Sequence, residues 1–164
     1  MVDEADVAAP PASDLAHPGP SEAMLPRSIA EAIVTQARDE YPNEACGIIA
    51  GTGYAGHGGA ALRYEACRNE AASPYRYSIH PDDAFRVLVA IDDADEAVWG
   101  IVHSHVRSSA VPSLTDIGLA QFPDALYILV SLADEETDRA TGRPSMRAWR
   151  IVDKATFEVA LVVR

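Results

Sequence analysis

The chain has 164 residues, 48% hydrophobic and 23% charged, enough for one domain with a buried core and too few for a two-domain enzyme. Thirteen Lys and Arg against 25 Asp and Glu leave a net charge of −12, the wrong sign for a protein that grips nucleic acid by its phosphates. No apolar run reaches the roughly 18–20 residues of a membrane span, and Asp3, Glu4 and Asp6 stand where a secretory signal needs positive charge. Cys46 and Cys67 are too few for a disulfide framework and form no C-x-x-C, so the expectation is a soluble cytoplasmic protein with reduced thiols.

Residues 1–27 carry five of the eleven prolines and almost no large apolar side chain. Burial there cannot offset the entropy of ordering, and the reading is a flexible tail before a domain at 28–164. From Ser28, a capping-box spacing with Glu31 and apolar residues at Ile29, Ile33, Val34 and Ala37 predict an amphipathic helix that stops by Pro42. Cys46–Gly51 and Ala61–Cys67, joined by a Gly-rich stretch, read as a hairpin, and Tyr75–Ile79 alternates as a further strand. Pro81, Asp82 and Asp83 open a second helix ending near Asp95, with Asp92, Asp93, Asp95 and Glu96 as a solvated end. Ala97–Val102, Leu126–Leu132, Met146–Val152 and Phe157–Val163 read as strands, and Leu114–Ala120 as a short helix. The whole is a single α/β domain.

Chemistry concentrates in residues 103–116, HSHVRSSAVPSLTD. Side chains two apart on a strand share a face, so His103 and His105 can meet one ion while Ser104 faces away. After a seven-residue loop, Ser113 and Asp116 stand at the start of a helix, where the carboxylate can turn back to the strand end. Two His and one Asp leave a fourth position open, as catalytic zinc requires. Glu44, in NEACGIIAG, is the acidic residue placed to return to the same edge of the sheet. Each feature has a plainer reading. Ser113 and Asp116 satisfy a capping box, the two His can be polar residues at a strand end, and Glu44 can be a loop charge. Their joint spacing favours a site. Cys46 reads as a small buried hydrophobe, and His17, His57 and His80 as surface residues.

The pattern Glu44, His103-x-His105, seven residues, Ser113, two residues, Asp116 resembles the full motif of the JAMM (MPN+) zinc metallopeptidases. EACGIIAG, residues 69–77, PSLTD and LYILVS are similar to the bacterial branch, and to its peptidases that remove cysteine from a ubiquitin-like sulfur carrier. Val106 departs from the Pro that many relatives have after the second His. The resemblance implies a curved mixed β-sheet flanked by helices, of the kind cytidine deaminases share, and one Zn2+ held by His103, His105 and Asp116. It implies Glu44 as general base and proton shuttle, Ser113 as a donor to the oxyanion, and a sulfur carrier ending in Gly-Gly as partner. Asn69, Ser73, Tyr75 and Tyr77 are candidates for the substrate groove. The alternatives are deconjugation of another ubiquitin-like modifier and a silent binding module; a homodimer is left open. A nucleobase deaminase is excluded, because H-x-E and P-C-x-x-C are absent.

Overall fold

The computed structural model describes residues 19–164. One seven-stranded sheet runs through it. In chain order the elements are β1 (Glu22–Leu25), α1 (Arg27–Asp39), β2 (Cys46–Gly51), β3 (Ala61–Cys67), α2 (Pro81–Asp93), β4 (Ala97–His105), α3 (Leu114–Leu119), β5 (Leu126–Ser131), β6 (Ser145–Val152) and β7 (Ala155–Val163). The spatial order is β1-β7-β6-β5-β4-β2-β3. β4 and β5 are parallel, as are β1 and β7, and the other pairs are antiparallel.

Helices cover both faces. Ile29, Ile33 and Ala37 of α1 pack with Ile49, Trp99, Val102, Leu126 and Ile128 on one face. On the other, Val87 and Ile91 of α2 pack with Ile48, Ile101, Tyr127 and Leu129, and Ile117 of α3 joins them. The central strands β2, β4 and β5 therefore read as continuous apolar runs, because both of their faces are buried. Gly47 is required by close approach: a Cβ there would lie 2.5 Å from the Tyr64 ring and 2.6 Å from the Glu65 carbonyl. No described helix is long and apolar enough to cross a membrane.

Four expectations need correction. The folded part starts before residue 28, since Glu22–Leu25 pairs with Ala160–Val163 and Leu25 is fully buried. Four residues with two inward side chains carry too little pattern to be read as a strand, and their partner lies at the far end of the chain. Residues 1–18 of the expected tail, with His17, lie outside the described residues. The Ser28–Glu31 capping box does not form; the N-cap is Pro26, two residues before Ser28, and α1 starts at Arg27. Tyr75–Ile79 is not a strand, and only Ile79 bridges, to Asn69. The segment is instead a loop stitched by the Asn69 amide. Finally, Glu96 is not merely solvated, since it pairs with Arg63 of β3.

Candidate metal centre and active site

β4 ends in the two histidines. Its pleat turns His103 and His105 to the face that carries α2 and α3, where both are buried. Ser104 points to the other face and does a different task. Its Oγ accepts from the Ala45 amide at 2.8 Å and its own amide donates to the Ala45 carbonyl at 3.0 Å. That pair continues the β2–β4 ladder beyond Cys46 and His103, so residue 44 arrives beside the imidazoles.

α3 supplies the carboxylate. Ser113 is its N-cap: Ser113 Oγ accepts from the Asp116 amide at 3.1 Å, and Asp116 Oδ2 accepts from the Ser113 amide at 2.7 Å. The capping reading is therefore correct, and it does not compete with the site. Asp116 Oδ2 also lies 3.3 Å from His103 Nε2 and 3.3 Å from His105 Nε2, and the two Nε2 atoms are 3.1 Å apart.

This triangle has the dimensions of a metal site. Zinc bonds of about 2.0–2.1 Å in a tetrahedron place neighbouring donor atoms about 3.3–3.4 Å apart. Tautomer chemistry agrees. His105 Nδ1 lies 2.7 Å from the Ser109 carbonyl, which only accepts, so Nδ1 carries a proton. Burial opposes a second proton, but Asp116 and the Ser109 carbonyl outweigh it and raise the pKa of the ring in the metal-free protein, and a bound metal would take the place of the Nε2 proton. Burial holds His103 below the ordinary imidazole pKa, hence neutral as a ligand must be, although Asp116 pulls the other way. Burial also opposes ionisation of Asp116, but the hydrogen bonds to the two histidines outweigh it and hold the carboxyl well below its usual range. Among the described residues, His103 Nδ1 is buried without a hydrogen-bond partner. Its ring is fixed instead by stacking on Tyr77, with centroids 4.3 Å apart and planes 20° apart.

Glu44 completes the cluster. Its amide donates to the Ser73 carbonyl at 2.9 Å, its carbonyl accepts from Asn69 Nδ2 at 3.0 Å, and its side chain is buried, with Oε2 unpartnered among the described residues. Burial pushes its carboxyl up to about 7, opposed by His105 and assisted by Asp116. A carboxyl poised there, beside three converging donors, is suited to taking and returning a proton near neutral pH.

Of the four groove candidates, only Tyr77 lines the cavity between their loop and α3, together with Arg76, Ser78, Thr115 and Leu119, and its ring reaches the site by stacking on His103. Asn69 is a staple: Nδ2 donates to the Glu44 and Arg76 carbonyls, and Oδ1 accepts from the Ala71 and Ser78 amides at 3.0 and 2.9 Å. Ser73 Oγ accepts from the Tyr75 amide. Tyr75 is 77% exposed. Cys46 is buried with its thiol toward the Cys67 and Arg68 carbonyls, its pKa pushed far up by burial, and it is apart from the donor set. His57 pairs with Asp124, and His80 caps α2 by accepting from the Asp82 amide. Sequence reasoning missed Ser104 and the Ser109 carbonyl. A serine facing the apolar α1 side from the middle of HSH was a signal for the first; the second, a backbone group in a loop, left none.

Comparison with known proteins extends this geometry. Residues 26–152 match the family described as prokaryotic homologs of the JAB domain. The CysO-cysteine peptidase of Mycobacterium tuberculosis is 38% identical over 135 residues, covering 82% of this chain and 86% of that protein. A desampylase of Haloferax volcanii is 33% identical over 116 residues, 68% of this chain and 81% of its own. Among solved structures, a Desulfitobacterium hafniense protein superposes with a TM-score of 0.72 at 24% identity, over 86% of this chain and 92% of that one. A JAB1/MPN domain protein from Archaeoglobus fulgidus gives 0.51 at 18%, over 85% and 98%, a likeness of fold. With its sheet, its donor triangle and a family match across most of its length, the chain belongs to the prokaryotic JAB-domain family.

Proposed function

We propose that the protein is a zinc-dependent peptidase that hydrolyses the amide bond after the C-terminal Gly-Gly of a ubiquitin-like sulfur carrier, releasing cysteine in the cytoplasm for biosynthesis. The observation that carries this reading is the 3.1–3.3 Å triangle of His103, His105 and Asp116 donors with the buried Glu44 beside it. Similarity to the CysO-cysteine peptidase supports the substrate class.

His103, His105 and Asp116 hold the metal. Zinc, when bound, supplies Lewis acidity and lowers the pKa of water to about 7. Glu44 takes a proton from the attacking water and returns it to the departing nitrogen, so one carboxylate acts as base and then as acid. Ser113 Oγ spends a lone pair on its cap, and its O–H, for which the described residues provide no acceptor, donates to the oxygen that becomes negative.

The deciding experiment is an intact-mass assay with a small carrier ending in Gly-Gly-Cys, run with zinc-loaded protein and again with chelator. Chelator-sensitive loss of one cysteine residue is expected. No loss from zinc-loaded protein rejects the reading. Similarity to desampylases favours a second reading, deconjugation of a ubiquitin-like modifier, checked with a carrier joined to lysine.

A further inference from the structure

We propose that the cavity between the loop at residues 70–78 and α3 is the subsite for the residue that leaves, and that Arg76 recognises its free α-carboxylate. This rests on the peptidase reading above and names what stands on the departing side of the scissile bond.

The cavity measures about 410 Å3, and although none of the three donors lines it, two of its wall residues are tied to them. Tyr77 in its wall is stacked on His103, and Thr115 in its wall immediately precedes Asp116. At about 30 Å3 per water, the space takes one small amino-acid residue with solvent to spare and excludes a folded domain. Its charge is selective. The chain carries a net −12, so an incoming carboxylate needs a local cation, and Arg76 is the cation that lines this cavity. Arg76 has no ion pair among the described residues, including with Glu70 on the same wall. A guanidinium without a partner offers its fork to a carboxylate. Glu70 offers the opposite charge to the ammonium that the leaving nitrogen becomes.

The wall is held to the catalytic machinery. Asn69 Nδ2 reaches the Arg76 carbonyl at 3.1 Å and the Glu44 carbonyl at 3.0 Å, so one amide fixes both. The hydrolysis balances with one water. Its oxygen bonds to the glycine carbonyl carbon, the C–N bond breaks with its electron pair on nitrogen, and the nitrogen takes a proton through Glu44. The products are a glycine carboxylate and a free amino acid. Only a C-terminal residue carries an α-carboxylate one bond from that nitrogen's carbon; a lysine side-chain conjugate has none there. Arg76 thus separates removal of a terminal residue from deconjugation.

The test compares kcat/KM, read by intact mass, for a carrier ending in Gly-Gly-Cys and the same carrier ending in Gly-Gly-Cys carboxamide. Zinc-loaded wild type, Arg76→Gln and Arg76→Lys are compared. Wild type is expected to prefer the carboxylate by about ten- to hundredfold, the size of one charge-assisted hydrogen bond. In Arg76→Gln the preference falls toward one, and Arg76→Lys keeps part of it. Equal rates on both carriers in wild type, or the same preference in Arg76→Gln as in wild type, overturns the subsite and leaves the peptidase reading standing. Cleavage of neither carrier by zinc-loaded wild type overturns both.

Discussion

The two sides of the metal centre are built by different means. His103, His105 and Asp116 come from one continuous stretch, in which a strand pleat and a helix cap set the donors. Glu44 is brought in by long-range hydrogen bonds: its neighbour Ala45 donates to Ser104 Oγ, its own amide donates to the Ser73 carbonyl, and its carbonyl accepts from Asn69 Nδ2. Local geometry makes the ligand side tolerant of change elsewhere. The Glu44 side depends on strands and loops distant in sequence, so on the proposed function metal binding and turnover should be separable by substitution.

The largest expected effect comes from breaking the ligand side. His105→Ala removes one of three donors and should abolish both stoichiometric zinc, read by metal analysis after dialysis, and cleavage; zinc retained at one per chain would show that His105 is not a ligand. Glu44→Gln should keep zinc bound while lowering kcat by about 10²–10⁴-fold, the usual worth of a positioned acid or base. Loss of zinc in that variant would merge the two sides. Between them stands Tyr77, whose ring holds His103 in place of a hydrogen bond. Tyr77→Leu should weaken zinc in chelator competition by about tenfold, as removal of a ligand's outer support does, and Tyr77→Phe should not.

Smaller effects sharpen the base side. Ser104→Ala leaves the buried Ala45 amide without its acceptor and should cost about 1–3 kcal/mol in urea unfolding of the metal-free protein. Zinc affinity should change less than kcat, because Ser104 positions the base and not the donors. The smallest effect is a pH dependence. Glu44 has a folded pKa of about 7, raised from 4.5 by burial. A raised folded pKa gives stability that is complete below the unfolded value and is lost as pH rises through the folded one. Metal-free wild type should therefore lose stability between pH 5 and pH 8 relative to Glu44→Gln, a difference readable in paired Tm scans. Parallel Tm curves would show that Glu44 is ionised without cost where it stands.

Much of the site was legible because its residues are set by periods the chain itself carries. Two His at spacing two on an apolar strand, and a capping-box serine and aspartate at spacing three, need only backbone geometry to converge. Asp116 shows that the structural and functional readings of such a residue are compatible, since one oxygen caps the helix and faces both imidazoles. Residues 75–79 differ from the strand that their pattern predicts for the complementary reason. Tyr75, Tyr77 and Ile79 alternate, but the Arg76 carbonyl and the Ser78 amide bond to the Asn69 side chain, and the Tyr75 amide to Ser73 Oγ, where a strand would use a neighbouring ladder. Asn69, a groove candidate by sequence, is the staple that makes that loop.

By itself the sequence determined the α/β class, the central apolar strands, the helix faces and the convergence of His103, His105 and Asp116, because each follows from local periodicity or close spacing. Only the tertiary structure decided that residues 22–25 close the sheet against β7, that Ser104 sets Glu44 beside the histidines, and that Tyr77 both supports His103 and walls the cavity with Arg76. Those are contacts between segments far apart in the chain. Their hydrogen bonds and buried faces are satisfied only once the sheet has formed, so no local pattern in the chain records them.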